Sequence, residues 1–137
     1  MRVMVLVKAN EDSESGRMPS TGELTEMGAY NEQPVQAGIM RAGDGLAASS
    51  EGKRVRFGGD EPVVIDGPFT ETKDLVAGFW IWEVASMDEA VDWLKRAPFQ
   101  DGEVELRRFY EPEDFGDAYT PELREQEERL RREAESR

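Results

Sequence analysis

The residues of this chain that can carry chemistry concentrate in one stretch. Asp66-Gly67-Pro68-Phe69-Thr70-Glu71-Thr72-Lys73 sets carboxylates, hydroxyls and an ammonium close together. If Asp66, Glu71, Thr72 and Lys73 leave a strand end together, they converge on a pocket mouth, where a carboxylate beside Lys acquires a pKa displaced enough for acid-base work. The same residues also suit a structural turn: Asp66 caps it, Gly67 permits unusual φ, Pro68 fixes φ and Phe69 fills the core. Glu83 interrupts an otherwise apolar strand, and a carboxylate buried there must be paired or protonated. At the strand's end it would instead reach water or an arginine such as Arg54, Arg56 or Arg107. Arg54 and Arg56 share one strand face and can clamp an anion or pair with carboxylates across strands. Trp80 and Trp82 can line a ligand pocket or pack a core or dimer interface. Asp66, Glu83 and Lys73 are thus the candidate catalytic residues, and Arg54, Arg56, Glu71, Thr72, Trp80 and Trp82 the candidate ligand contacts.

Composition limits what these residues can do. The 137-residue chain has no histidine and no cysteine, which excludes a Ser-His-Asp triad, a thiol nucleophile, disulfides and ordinary zinc, haem or iron–sulfur sites. Its 17 Lys and Arg face 30 Asp and Glu, a formal charge of −13, and such a surface repels nucleic acid. No acidic spacing matches an EF-hand loop, and the glycines form neither a Walker loop nor a dinucleotide fingerprint, so no metal or cofactor is expected. The apolar run at the amino terminus is too short for a signal peptide, and no stretch approaches the ~20 apolar residues of a membrane span. A cytoplasmic protein without a membrane partner is the expectation.

The elements that must position the candidates follow from periodicity. Residues 1–110 hold nearly all the Val, Ile, Trp and Phe and read as one domain; residues 111–137 read as an acidic tail. Val3 to Val7 is apolar on both faces, which predicts a central strand. Glu11 to Pro19 reads as a polar loop. Ser20 with Glu23 has capping-box spacing, and Leu24, Met27, Tyr30 and Ala37 continue a helical stripe to a stop at Gly43, kinked or divided at Pro34. A brief extended piece starts at Leu46. Arg54 to Phe57 and Val63 to Ile65 predict an inserted β-hairpin. Gly78 to Val84 predicts a strand, Ser86 caps a helix ended by Pro98, and Glu103 to Phe109 predicts an edge strand. Thr120-Pro121-Glu122 starts a tail helix with Glu125/Arg129, Glu127/Arg131 and Glu128/Arg132 pairs. The order predicts an α+β sandwich: a mainly antiparallel sheet with two helices on one face. Apolar residues on the other face predict a homodimer by sheet-to-sheet packing.

At Asp66-Gly67-Pro68-Phe69-Thr70-Glu71-Thr72-Lys73-Asp74 the chain resembles the YCII-related family, in its DGPF-motif branch. Gly45-Leu46, Ser49-Ser50, Arg54-Val55-Arg56-Phe57, Gly78-Phe79-Trp80-Ile81-Trp82, Glu89-Ala90-Val91-Asp92-Trp93 and Glu113-Asp114-Phe115-Gly116 extend the resemblance. Ala47-Ala48 and Asp74 depart from the branch's usual residues. The resemblance implies a ferredoxin-like fold assembled as a dimeric α/β-barrel, with no settled activity, and for some members a setting beside extracytoplasmic-function sigma factors. Better-studied relatives have a proposed His-Asp pair, which a chain without histidine does not supply.

Three functions are compatible with these readings. The first is binding of a small polar or anionic molecule in a cleft between helices and sheet, with Asp66, Lys73 and Glu83 as polar contacts. The second is acid-base catalysis on a small metabolite, in which Asp66 or Glu83 moves a proton while Lys73 or Arg56 stabilises developing negative charge. The third is an interaction module whose tail helix docks on a protein partner.

Overall fold

Alternating valines at Val3, Val5 and Val7 put one β-branched row on a single face of strand β1 (Arg2–Lys8), and this strand lies inside the main sheet. The computed structural model describes all 137 residues. After β1 come a short helix α1 (Glu11–Glu14), helix α2 (Thr21–Gln36) and strand β2 (Met40–Gly45). Strands β3 (Lys53–Arg56) and β4 (Val63–Asp66) follow, then β5 (Val76–Glu83), α3 (Met87–Lys95), β6 (Val104–Arg108) and a tail helix α4 (Pro121–Glu135). Short 3-10 turns occupy Ser49–Glu51, Thr72–Asp74 and Pro112–Ala118.

The main sheet has the order β2-β5-β1-β6 with every neighbouring pair antiparallel. Together with α2 and α3 this is the ferredoxin-like βαββαβ arrangement, and β6 takes the edge position that its polar alternation predicts. Register sets Val3 opposite Trp82 and Val5 opposite Trp80. Those four side chains share one face and join Tyr30 of α2, Ala90 of α3, Ile39 and Val84 in the core. Both helices therefore cover a single face. The opposite face carries Met4, Leu6, Phe79 and Ile81, partly exposed.

Both interior helices start as their sequences predict, with Ser20 Oγ accepting from the Glu23 amide and Ser86 Oγ from the Glu89 amide, each at 3.1 Å. α2 departs from expectation at its other end. It stops at Gln36, Gly38 takes a left-handed φ of 76°, and the chain then forms β2 rather than continuing to Gly43. Periodicity misses β2 because Met40-Arg41-Ala42-Gly43-Asp44-Gly45 has no β-branched residue. Its glycine is needed, because a Cβ on Gly43 would lie 2.3 Å from Trp80 Cδ1. Leu46 adds one more bond, its amide to the Ala77 carbonyl at 2.8 Å, before the 3-10 turn.

The expected loop from Glu11 to Pro19 also contains structure, the helix α1. Asn10 and Ser13 satisfy each other's backbone amides in a capping box, at 2.8 and 2.9 Å. The hairpin forms as expected but stands as a separate two-stranded sheet, exposed along nearly its whole length. In α4, Glu127 pairs with Arg131 at 2.6 Å, whereas the other two ion pairs run in the reverse order, Arg124 to Glu128 and Arg129 to Glu133. No helix is long and apolar enough to cross a membrane.

Candidate functional site

The motif residues build a hydrogen-bonded turn. Asp66 ends β4 and receives the Lys53 ammonium at 2.5 Å on an exposed surface. The Gly67–Pro68 peptide is cis. Gly67 donates its amide to the Gly52 carbonyl at 3.0 Å, and a Cβ there would meet the Ser49 carbonyl oxygen at 1.7 Å. Phe69 donates its amide to Ser49 Oγ at 2.9 Å, and the Arg54 guanidinium lies 3.8 Å from the Phe69 ring centroid. Ser49 in turn donates both its amide, at 2.9 Å, and its hydroxyl to the Glu14 carboxylate. Those two bonds, the hydroxyl's first, hold Glu14 below the usual carboxylate range.

The expected convergence of Asp66, Lys73 and Glu83 does not form. Lys73 sits in the 3-10 turn that precedes β5, whereas Glu83 is the last residue of β5. The seven residue steps from Val76 to Glu83 at ~3.3 Å each span about 23 Å. Glu83 is exposed at that far end and faces Arg41 at 3.9 Å, not Arg54, Arg56 or Arg107. Glu71 is exposed and Thr72 partly so, in the turn with Lys73. Arg54 stacks on Phe69, and Arg56 two residues on is exposed. They do not pair with carboxylates across the hairpin, where they face Ile65 and Val63. Trp80 and Trp82 stack 5.6 Å apart in the core, 8% and 0% exposed, and line neither of the two principal clefts. Their place on the helix-facing side of β5 is the cause.

A cleft of about 690 Å³ lies elsewhere, between helix and sheet. Its walls are the end of β1, α1 with its flanks, the first half of α2, the start of β5 and the loop into β6. Val7, Leu24, Met27, Phe99 and Val104 supply an apolar floor. Phe99 packs against Trp80 at 6.1 Å, joining floor to core. Lys8 and Arg17 are the cations of the lining, and Asp12, Glu23, Glu26, Asp101 and Glu103 the anions. Lys8 is paired with Glu105 at 3.4 Å, and Arg17 with Glu23 at 3.1 Å and Asp12 at 3.7 Å. None of the nine candidate residues lines this cleft. Its polar residues carry little sequence signal, because each is an ordinary surface residue of a loop or helix and only the fold brings them together. Ser49 was visible within Ser49-Ser50, and Glu14 was not.

A second, smaller cleft of about 270 Å³ lies under the tail. Its charged groups are already matched, Arg2 with Glu111, Arg124 with Glu128 and Arg131 with Glu127.

An uncharacterized protein of Rhizobium meliloti (strain 1021) is 32% identical over 87 residues, covering 61% of this chain and 70% of that protein. Among solved structures, the 5-chloro-2-hydroxyhydroquinone dehydrochlorinase of Burkholderia phenoliruptrix AC1100, in complex with 2,5-dihydroxybenzoquinone, matches with a TM-score of 0.47 and 18% identity. The match covers 80% of this chain and 94% of that one. The family model of the YCII-related domain matches residues 1–112. That span takes in the four-stranded sheet with both its helices, the hairpin, the motif turn and every wall of the large cleft, and on it the chain belongs to the YCII-related family.

Proposed function

We propose that this protein binds a small polar molecule, neutral or cationic, in the cleft between helix and sheet. The observation that carries this reading is the lining: an apolar floor beside carboxylates, of which Glu26, Asp101 and Glu103 have no ionic partner. A cleft of this size accommodates a metabolite, and an apolar base with a few polar groups on the rim is the usual construction of such sites. Both cations of the lining already face carboxylates, so an added anion would meet uncompensated negative charge. The anionic half of the sequence-based expectation therefore loses its support, while the polar half keeps it.

A thermal-shift screen tests this, with tyramine and spermidine as cationic probes and phosphate and citrate as anionic ones. A probe at 100 times its Kd stabilises the folded chain by ~2.7 kcal/mol. Stabilisation by an amine that is weakened in Glu103→Gln and Glu26→Gln supports the reading. Stabilisation by the anions alone, or by no polar metabolite, overturns it.

We further infer a homodimer through the sheet face that the helices leave open. Met4, Leu6, Phe79 and Ile81 form its centre, with Glu105 and Arg107 beside them on β6. Glu105 and Arg107 already pair with each other within the chain at 3.2 Å, so a second copy suits this face through its apolar centre. A monomeric mass by sedimentation at micromolar concentration overturns the inference.

A further inference from the structure

The Asp66–Phe69 turn contributes nothing to the cleft directly, yet one residue joins the two. Ser49 is fixed by the turn: its carbonyl oxygen abuts Gly67 and its hydroxyl accepts the Phe69 amide. The same Ser49 donates twice to Glu14 of α1. Asn10, Asp12 and Ser13, on the same short helix or at its cap, line the cleft.

α1 has little else to hold it. The helix is four residues long, its sequence Glu-Asp-Ser-Glu has no apolar side chain, and none of its residues is buried, so it has no apolar anchor of its own. Its side-chain bonds are otherwise local, between Asn10 and Ser13 and from Ser15 to the Asp12 carbonyl. The neighbouring Arg17–Glu23 pair, which ties the segment to α2, is half exposed on both sides, and such pairs hold weakly. Two hydrogen bonds to one carboxylate are the stronger tie.

We infer that Glu14 and Ser49 are positioning residues for the cleft, transmitting the conformation of the Asp66–Phe69 turn to the α1 wall. This rests on the reading of the cleft as a binding site, but the link itself can be tested without a ligand.

Hydrogen exchange on the full chain supplies the test. The Glu14, Ser15, Gly16 and Arg17 amides donate within the α1 segment and report its opening. Ser49→Ala and Glu14→Ala should each speed their exchange at least tenfold while the β1 and β5 amides keep their protection. Ser49→Thr, which retains the hydroxyl, should restore it. The double variant should match either single one, because both remove the same tie. The Phe69 amide separates the two ends, exchanging faster in Ser49→Ala and unchanged in Glu14→Ala. Unchanged exchange in α1, or equal acceleration throughout the domain, overturns the link.

Tyramine binding to the same variants then addresses the cleft. Weaker binding in both alanine variants, recovered in Ser49→Thr, is the result expected of positioning residues, and unaltered binding overturns that role. If wild-type protein takes up no amine while the exchange pattern holds, the reading of the cleft has failed and the mechanical link has not.

Discussion

The Tyr30 hydroxyl donates to the Trp93 carbonyl oxygen at 2.8 Å, joining α2 to α3 across the floor they build over the sheet. The ring is in the core and packs against Trp80 with centroids 5.7 Å apart. Tyr30→Phe keeps that packing and removes only the bond. Because the Trp93 carbonyl also accepts from the Arg96 amide at 3.2 Å, it is not orphaned by the change. The expected loss is therefore modest, about 1 kcal/mol by chemical denaturation. Burial pushes the Tyr30 hydroxyl up to about 12, against 10 when solvated. The neutral phenol is thus favoured by folding. Its contribution is complete below pH 10 and lost as pH rises from 10 through 12, a decline that Tyr30→Phe should lack.

Within the motif, glycine and aspartate should separate sharply. At Gly67 an added Cβ has to displace the Ser49 backbone, which is itself bonded to Glu14. Gly67→Ala should cost at least the ~1–3 kcal/mol typical of overpacking. Asp66→Asn breaks only an exposed pair with Lys53, worth at most about 1 kcal/mol. Equal losses in the two variants, measured by urea denaturation, would contradict the assignment of a structural turn.

The sequence is legible wherever local chemistry coincides with a tertiary role. Ser20, Ser86 and Thr120 each cap a helix because an N-cap is decided within three residues, and the valine row of β1 forces a strand with its neighbours. β2 was invisible because its glycine answers to Trp80, a residue 37 positions away in the chain. For a related reason, Glu83 does not join Asp66 and Lys73. Asp66, Lys73 and Glu83 are conspicuous by type, but Glu83 is separated from Lys73 by the length of β5. The cleft instead draws on Asn10, Glu26 and Glu103, each unremarkable in its own segment, and its link to the motif runs through Glu14, on a helix too short to show periodicity.

Trp82 offers a direct check on the reassignment of the tryptophans from pocket to core. Its side chain is fully buried beside Val3, and its indole N–H has no hydrogen-bond partner. Trp82→Ala should lose about 3–5 kcal/mol, a large part of a domain's total stability. Trp82→Phe keeps much of the apolar contact and removes the unpaired donor, so its loss should be distinctly smaller. Stability unchanged by the alanine substitution would place Trp82 outside the core.

The tail should come away from the domain with little consequence. α4 buries no residue, and Leu123 and Leu130 remain 47% and 51% exposed. What organises the region is internal: the Tyr110, Phe115 and Tyr119 rings follow one another at 5.4 and 5.5 Å, and the Tyr119 hydroxyl donates to Glu127. Its main tie to the sheet is Arg108, which holds Asp114 through two nitrogens at 2.8 and 3.2 Å. None of the eight core residues loses a neighbour from its cluster when residues 113–137 are removed. The truncated chain should therefore keep a cooperative thermal transition within about 5 °C of the full chain's. Thr120→Ala should weaken α4 through its lost N-cap bond to the Leu123 amide while leaving that transition in place, because the helix and the domain are stabilised by separate contacts. A truncated protein that fails to fold would show instead that the Arg108 contact is part of the domain's own stability.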